Sequence, residues 1–189
     1  MVMAEATNHY FKHLGVSDGL SQVCIPSIYQ DELGAVWLGT TEGLNRYNGK
    51  DVKVFQPSES NHGLTNNEIN ELCGDKNGRM YIRSGNDLIK LDIYTEQFTC
   101  LRQKGVYGLF CKKDTLWVSC ADGIYYYTGQ GTELTFFARV QKGFVGRALY
   151  VDKETVWVVT RKYLVAISRE DPLRQEILLT LEGQLYFRR

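Results

Sequence analysis

Two histidines near the start of the chain have a spacing that could bind a metal ion. His9 and His13 are four positions apart, and on one face of a helix this spacing can hold zinc. Tyr10 and Phe11 lie between them and favour a strand, on which the two imidazoles would lie too far apart to share an ion. We therefore predict no metal site here.

The cysteines are an odd number, five, and none of them forms a Cys-x-x-Cys pair. They are Cys24, Cys73, Cys100, Cys111 and Cys120. Neither a disulfide framework nor a zinc ribbon is expected from this pattern. We predict mostly reduced, buried thiols, and Cys111 with Cys120 is the pair that could approach across a hairpin.

Two acidic turn sequences could take part in chemistry. Asp75-Lys76-Asn77-Gly78 begins like a calcium loop but lacks the later carboxylates and the closing Glu, so it predicts a simple turn. The segment from Asp31 to Trp37 resembles the Asp-box turn of sialidase propellers, which is structural. Sialidase chemistry would also need a Tyr nucleophile, carboxylates and an arginine cluster, and nothing in the sequence groups these.

Phosphate-loop, zinc-protease and serine-hydrolase motifs are absent from the sequence. We therefore predict no catalytic, metal-binding or cofactor-binding residues and no cofactor. The ligand-binding residues are left unassigned.

Composition and charge narrow the classes of function. Lys and Arg total 22 and so do Asp and Glu, so the formal net charge is zero, which argues against a general nucleic-acid binder and a polybasic membrane-surface protein. Apolar residues make up 43% and charged residues 23%, as in soluble globular domains. No run approaches the roughly 20 apolar residues of a membrane helix, and Met1 to Ala6 lack the apolar region of a signal peptide.

A repeat of about 40 residues organises the chain and must position any functional side chain. Aligned twelve-residue copies begin at 36, 80, 116 and 156, so their spacings are 44, 36 and 40 residues. An aromatic residue holds the second place of every copy: Trp37, Tyr81, Trp117 and Trp157. Leu or Ile holds the ninth place: Leu44, Leu88, Ile124 and Leu164.

Each repeat contains four strand-length apolar segments separated by Asp- and Gly-rich turns, which is typical of a β-propeller blade. The prediction is an all-β fold of about four blades, each of four antiparallel strands. The predicted repeats cover residues 20–60, 64–102, 105–140 and 145–181, and a strand over 9–14 could close the ring. An all-β sandwich has similar strand density but no reason to repeat at this period.

Three segments carry a resemblance to a known family. Residues 11–22, 28–40 and 42–49 resemble the two-component regulator propeller repeat, and a second copy begins at 63–67. This resemblance implies the N-terminal part of the periplasmic sensor of a Bacteroides-type hybrid two-component system, a sensor histidine kinase with a response regulator. It also implies a propeller of about seven blades and a signal peptide and membrane helix outside these residues.

The resemblance implies a non-catalytic sensor segment for glycan-derived ligands that control polysaccharide utilisation. Its expected partners are such a ligand, neighbouring sensor domains or a second copy in a homodimer, without nucleic acid and without membrane insertion. Two alternatives stay open: a propeller-type glycosidase or lyase, and a free-standing four-bladed scaffold for protein partners. The turns between second and third strands should share one face, which is either a solvated rim or a site for a ligand or partner. They lie around Thr40–Glu42, Arg83–Ser84, Cys120–Ala121 and Arg161–Lys162, and the loop 57–67 joins them.

Overall fold

The computed structural model describes residues 12–58, 63–140 and 145–180, with the side chains of 145–148 outside that description. These residues form sixteen strands in four four-stranded antiparallel sheets, and a short 3-10 helix at Val16–Asp18. No α-helix occurs in the described part of the chain. The predicted all-β fold of propeller blades is confirmed.

Each sheet is one blade whose strands follow one another in chain order. Blade 1 contains β1 (Ser27–Gln30), β2 (Val36–Thr40), β3 (Gly43–Tyr47) and β4 (Val52–Phe55). Blade 2 contains β5 (Ile69–Gly74), β6 (Arg79–Ser84), β7 (Asp87–Asp92) and β8 (Gln97–Arg102). Blade 3 contains β9 (Val106–Lys112), β10 (Thr115–Cys120), β11 (Gly123–Tyr127) and β12 (Thr135–Ala138). Blade 4 contains β13 (Val145–Val151), β14 (Thr155–Thr160), β15 (Tyr163–Ser168) and β16 (Gln175–Thr180).

The apolar core consists of three clusters, one between each pair of consecutive blades. Trp37 and Phe55 of blade 1 pack with Ile69 and Ile82 of blade 2. Tyr81 and Leu88 of blade 2 begin the next cluster, and Trp117 of blade 3 begins the last. Because a sheet has two faces, each inner blade contributes alternate side chains to the cluster before it and the cluster after it.

The repeated aromatic residue lies at the same place in every blade, on the second strand. Trp37, Tyr81 and Trp117 are buried and point toward the blade that follows. Trp157 is less buried than these three rings and stays partly exposed. The reason is that no described blade follows blade 4 to cover it.

The open face of blade 4 is apolar. The side chains on β14 alternate between buried and half-buried, whereas β6 and β10 are buried on both faces. Trp157 and Val159 share the less buried face, and Leu164 and Leu179 lie on it because Val159 pairs with Leu164 and Leu164 with Leu179. Leu179 is 53% exposed.

The opposite end of the array is partly covered by the polar segment that precedes β1. The backbone N–H of Ser21 donates to the Asn45 side-chain oxygen at 2.9 Å, and the Ser21 hydroxyl lies 2.9 Å from that of Thr40. Lys12 contacts Tyr47 of the same face. This polar cap makes the first face of the array different from the apolar last face.

The predicted strand over residues 9–14 lies mostly outside the described residues, as does His9. Residues 12–14 are described and form no strand, and His13 is exposed. The number of blades in the native ring therefore stays a prediction.

Candidate ligand-binding groove

A groove of about 690 Å³ runs between blades 3 and 4. It lies on the face formed by the turns between first and second strands and between third and fourth strands. Its lining combines aromatic, hydroxyl and charged side chains: Thr115, Trp117, Tyr126, Thr128, Phe136, Phe137, Lys153, Arg169, Glu170 and Pro172. The volume is within the range of small-molecule sites in proteins.

The aromatic wall of the groove belongs to blade 3. Trp117 on β10 pairs with Tyr126 on β11, so the two side chains share a face and their ring centroids lie 5.6 Å apart. Phe137 on β12 meets Trp117 edge-on at 5.0 Å. Because Trp117 is also part of the core between the blades, this wall is held rigidly.

The charged wall belongs to blade 4. The Arg169 guanidinium lies over the Trp117 ring, 5.5 Å from its centroid. It also donates to the backbone oxygens of Asp152 and Lys153, each at 3.0 Å, which fixes it between the two blades. Lys153 and Glu170 are exposed at the groove edge and available to a ligand.

This lining suits binding more than hydrolysis. Rigid aromatic faces can pack on the apolar side of a ligand while the charged and hydroxyl groups fix its orientation. Hydrolysis of a glycosidic bond by the usual route needs two carboxyl groups. Among the described lining residues, Glu170 supplies the only one.

Sequence reasoning missed this groove, because it pointed to the opposite ends of the sheets. The turns named there are largely occupied by contacts with the segment that joins blades 1 and 2: Ser84 is buried and its hydroxyl donates to the Asn66 backbone oxygen, while the Gly43 N–H donates to that of Asn67. Cys120 is buried too. Arg161 and Lys162 are exposed there, and residues 59–62 of the predicted loop lie outside the described residues.

The acidic turn at Asp31 is a structural element that holds the repeated tryptophan. One carboxylate oxygen accepts the backbone N–H groups of Leu33 and Ala35, and the other accepts the Trp37 indole N–H at 2.7 Å. Gly34 supplies the positive φ of +86° that the turn needs. The Asp-box resemblance therefore reflects packing of the blade.

The same arrangement recurs in blade 4 and is modified in blade 2. Asp152 accepts the Trp157 indole N–H at 2.7 Å and two backbone N–H groups. The indole N–H is the main reason that the pKa of the Asp152 carboxyl lies below its ordinary value, so this stabilisation is lost as the pH falls through that lowered pKa. Asp75 instead accepts hydrogen bonds from the Arg79 guanidinium and the Asn77 backbone N–H. The segment from Asp75 to Gly78 is therefore a turn, as the sequence predicts.

We expect Asp31→Ala to lower the free energy of unfolding by about 2 kcal/mol, because it leaves buried N–H donors without an acceptor. Urea denaturation followed by circular dichroism measures the loss. Asp51→Ala, in the exposed turn between β3 and β4, is the matched control and should change stability by less than about 0.5 kcal/mol. Equal losses in the two variants would contradict this role of Asp31.

The cysteines are arranged differently from the prediction. Cys24 is exposed, Cys120 is buried, and the other three are half-buried. Cys111 pairs with Leu116 and Cys120 with Val106, so Cys111 and Cys120 lie at opposite ends of their hairpin and cannot meet. The close contact is instead between Cys73 and Cys111 of neighbouring blades.

Within the described residues, no three His, Cys, Asp or Glu side chains converge as a metal site would require. The described residues also contain no helix that is long and apolar enough to span a membrane.

The fold defines a β-propeller segment with a groove between blades 3 and 4. Residues 19–42 match the family model described as two component regulator propeller. This match covers the polar cap at Ser21, the Asp31 turn and the Trp37 strand, and it confirms the resemblance seen in the sequence.

The proteins with similar sequence or structure include a histidine kinase and the extracellular domains of two hybrid two-component systems. The chain is 40% identical to histidine kinase P4 of Formosa agariphila over 53 residues. These residues make up 28% of this chain and 4% of that protein. It superimposes on the extracellular domain assigned to the hybrid two-component system BT3049 of B. thetaiotaomicron with a TM-score of 0.73 and 21% identity, over 89% of this chain and 26% of the other. The extracellular domain assigned to BT4673 of the same organism superimposes with a TM-score of 0.64 and 21% identity, over 85% of this chain and 22% of the other.

The chain thus spans about a quarter of the solved domains that it matches and a much smaller part of the kinase. At this level of identity the structural similarity shows a shared propeller fold, and function has to be argued from the site.

Proposed function

We propose that this chain is part of the extracytoplasmic sensor region of a hybrid two-component system, and that its propeller binds a glycan-derived ligand. The observation that carries the proposal is the regulator propeller repeat at residues 19–42, built into a fold shared with the extracellular domains of two such systems. The segment acts by binding, and catalysis belongs to other parts of such a protein.

The groove between blades 3 and 4 supports a carbohydrate as the ligand class. A sugar ring has an apolar face that can pack on the Tyr126 and Phe137 side of the groove, and hydroxyl groups that can pair with Thr115 and Thr128. Lys153 and Arg169 add positive charge that suits an acidic sugar.

Signal transmission from such a site requires a change in packing between blades or domains. The groove joins two blades, since Trp117 belongs to blade 3 and Arg169 to blade 4. A ligand that contacts both walls stabilises one relative placement of the blades, and this bias can pass to a neighbouring sensor domain or a second copy.

The experiment is a titration of the purified chain with a panel of neutral and uronic-acid oligosaccharides by isothermal calorimetry. We expect at least one acidic oligosaccharide to bind. The variant Lys153→Ala should weaken its binding about tenfold, since it removes an exposed positive charge from the groove edge.

The matched control is Arg161→Ala, Lys162→Ala, which removes two exposed charges at the opposite end of the same blade. It should leave binding unchanged. Loss of binding in this control and none in the groove variant would place the ligand on the face predicted from the sequence. Cleavage of the oligosaccharide during the titration would favour the glycosidase or lyase alternative.

A further inference from the structure

We propose that Cys73 and Cys111 form a disulfide bond between blades 2 and 3. The two sulfur atoms lie 2.7 Å apart, closer than two unbonded thiols normally approach. Cys73 is on β5 and Cys111 on β9, the first strands of consecutive blades. The bond would therefore link two separate sheets.

The strand register points both side chains at the same interface. Cys73 pairs with Tyr81, and Cys111 pairs with Leu116. Both of these partners are buried in the cluster between blades 2 and 3, and paired residues of antiparallel strands point to the same face. The two thiols thus meet because blades 2 and 3 pack against each other, and strands β5 and β9 fix their positions at this interface.

A disulfide fits this position without rearrangement of the blades. The S–S bond is about 2.05 Å long, so each sulfur atom needs to move by only a few tenths of an ångström. Burial raises the pKa of Cys73, so this thiol is mostly protonated at neutral pH.

Formation of the bond is a two-electron oxidation. Two S–H bonds break, one S–S bond forms, and two protons and two electrons leave. A disulfide of an oxidoreductase accepts the electrons and becomes a dithiol. An extracytoplasmic compartment supplies such an oxidant, and in this respect alone the inference rests on the proposed function.

The bond would fix the angle between blades 2 and 3. The residues it joins are 38 positions apart, so closing the loop also removes conformational freedom from the unfolded chain. A rise of about 10 °C in Tm is expected on oxidation.

The test treats the purified, reduced 189-residue chain with diamide, blocks the remaining thiols by alkylation and digests with trypsin without reduction. We expect the peptides 54–76 and 105–112, which each contain one cysteine, to be recovered as a linked pair. The linked pair should have lost two hydrogen atoms, and Tm should rise by about 10 °C.

Cys24→Ser is the matched control, because it removes an exposed thiol and should keep both the linked peptides and the rise in Tm. Cys111→Ser should lose both, and Cys73→Ala gives the same test if the serine variant does not fold. Alkylated Cys73 and Cys111 in a folded, diamide-treated chain would overturn the proposal, as would a different linked pair.

The outcome of this experiment does not depend on the cellular compartment of the protein, because purified protein is oxidised with added diamide. A failed oligosaccharide titration would leave the disulfide standing, and a failed oxidation would leave the ligand proposal standing.

Discussion

Replacement of Trp37 with alanine should lower the free energy of unfolding by about 3–5 kcal/mol. The side chain is fully buried and packs against Phe55, with ring centroids 5.7 Å apart, in the cluster between blades 1 and 2. Its loss opens a cavity and also leaves one Asp31 oxygen without its donor. Since small domains are stable by about 5–15 kcal/mol, this is a large share of the total. Urea denaturation followed by circular dichroism measures the change.

Two further variants separate the causes of that loss. Trp37→Phe keeps most of the packing but removes the indole N–H, so it should cost clearly less than Trp37→Ala. Trp157→Ala removes the equivalent ring from blade 4, where it is half-buried, and should cost about half as much as Trp37→Ala. A loss in Trp157→Ala as large as in Trp37→Ala would mean that the last blade is covered in solution.

The 189-residue chain should form a dimer through the open face of blade 4. Trp157, Val159, Leu164 and Leu179 share this face and keep part of their apolar surface in water. In an isologous dimer each of these residues is buried twice, once in each copy. Leu179→Lys should therefore weaken association about a hundredfold, because it buries two unpaired charges and loses two apolar contacts.

Sedimentation over a range of concentrations measures this association. Ile28→Lys is the matched control: Ile28 is 64% exposed on the first blade, at the other end of the array. It should leave the dimer unchanged. A chain that stays monomeric up to about 100 µM would contradict the prediction. In a longer protein, a fifth blade would cover the same apolar face.

Both results bear on how strongly neighbouring blades are held together. The apolar side chains between consecutive blades are closely packed. A change in the packing of one interface therefore shifts the blades that form the next interface. The groove between blades 3 and 4 and the cysteine pair between blades 2 and 3 lie at successive interfaces. A ligand at the first and a disulfide at the second would restrict the same kind of motion.

The local design of a blade could be predicted from the sequence, because its determinants are close together in the chain. Asp31 and Trp37 are six positions apart, and a hairpin turn brings the carboxylate to the indole whatever surrounds the blade. The second-strand aromatic and the ninth-place aliphatic recur in each copy, and they predict four strands and a repeated packing role. These features determined the all-β fold and the propeller blade.

Contacts between blades were decided only by the tertiary structure. The groove joins residues from Thr115 to Pro172, and Cys73 meets Cys111 across 38 positions, where the sequence had favoured Cys120. The half-burial of Trp157 also depends on whether another blade follows. Hairpin pairing fixes which face of a sheet a residue occupies, but the distance between two sheets depends on every side chain packed between them. A local sequence pattern does not determine the distance between two sheets, and the candidate groove lies between two sheets.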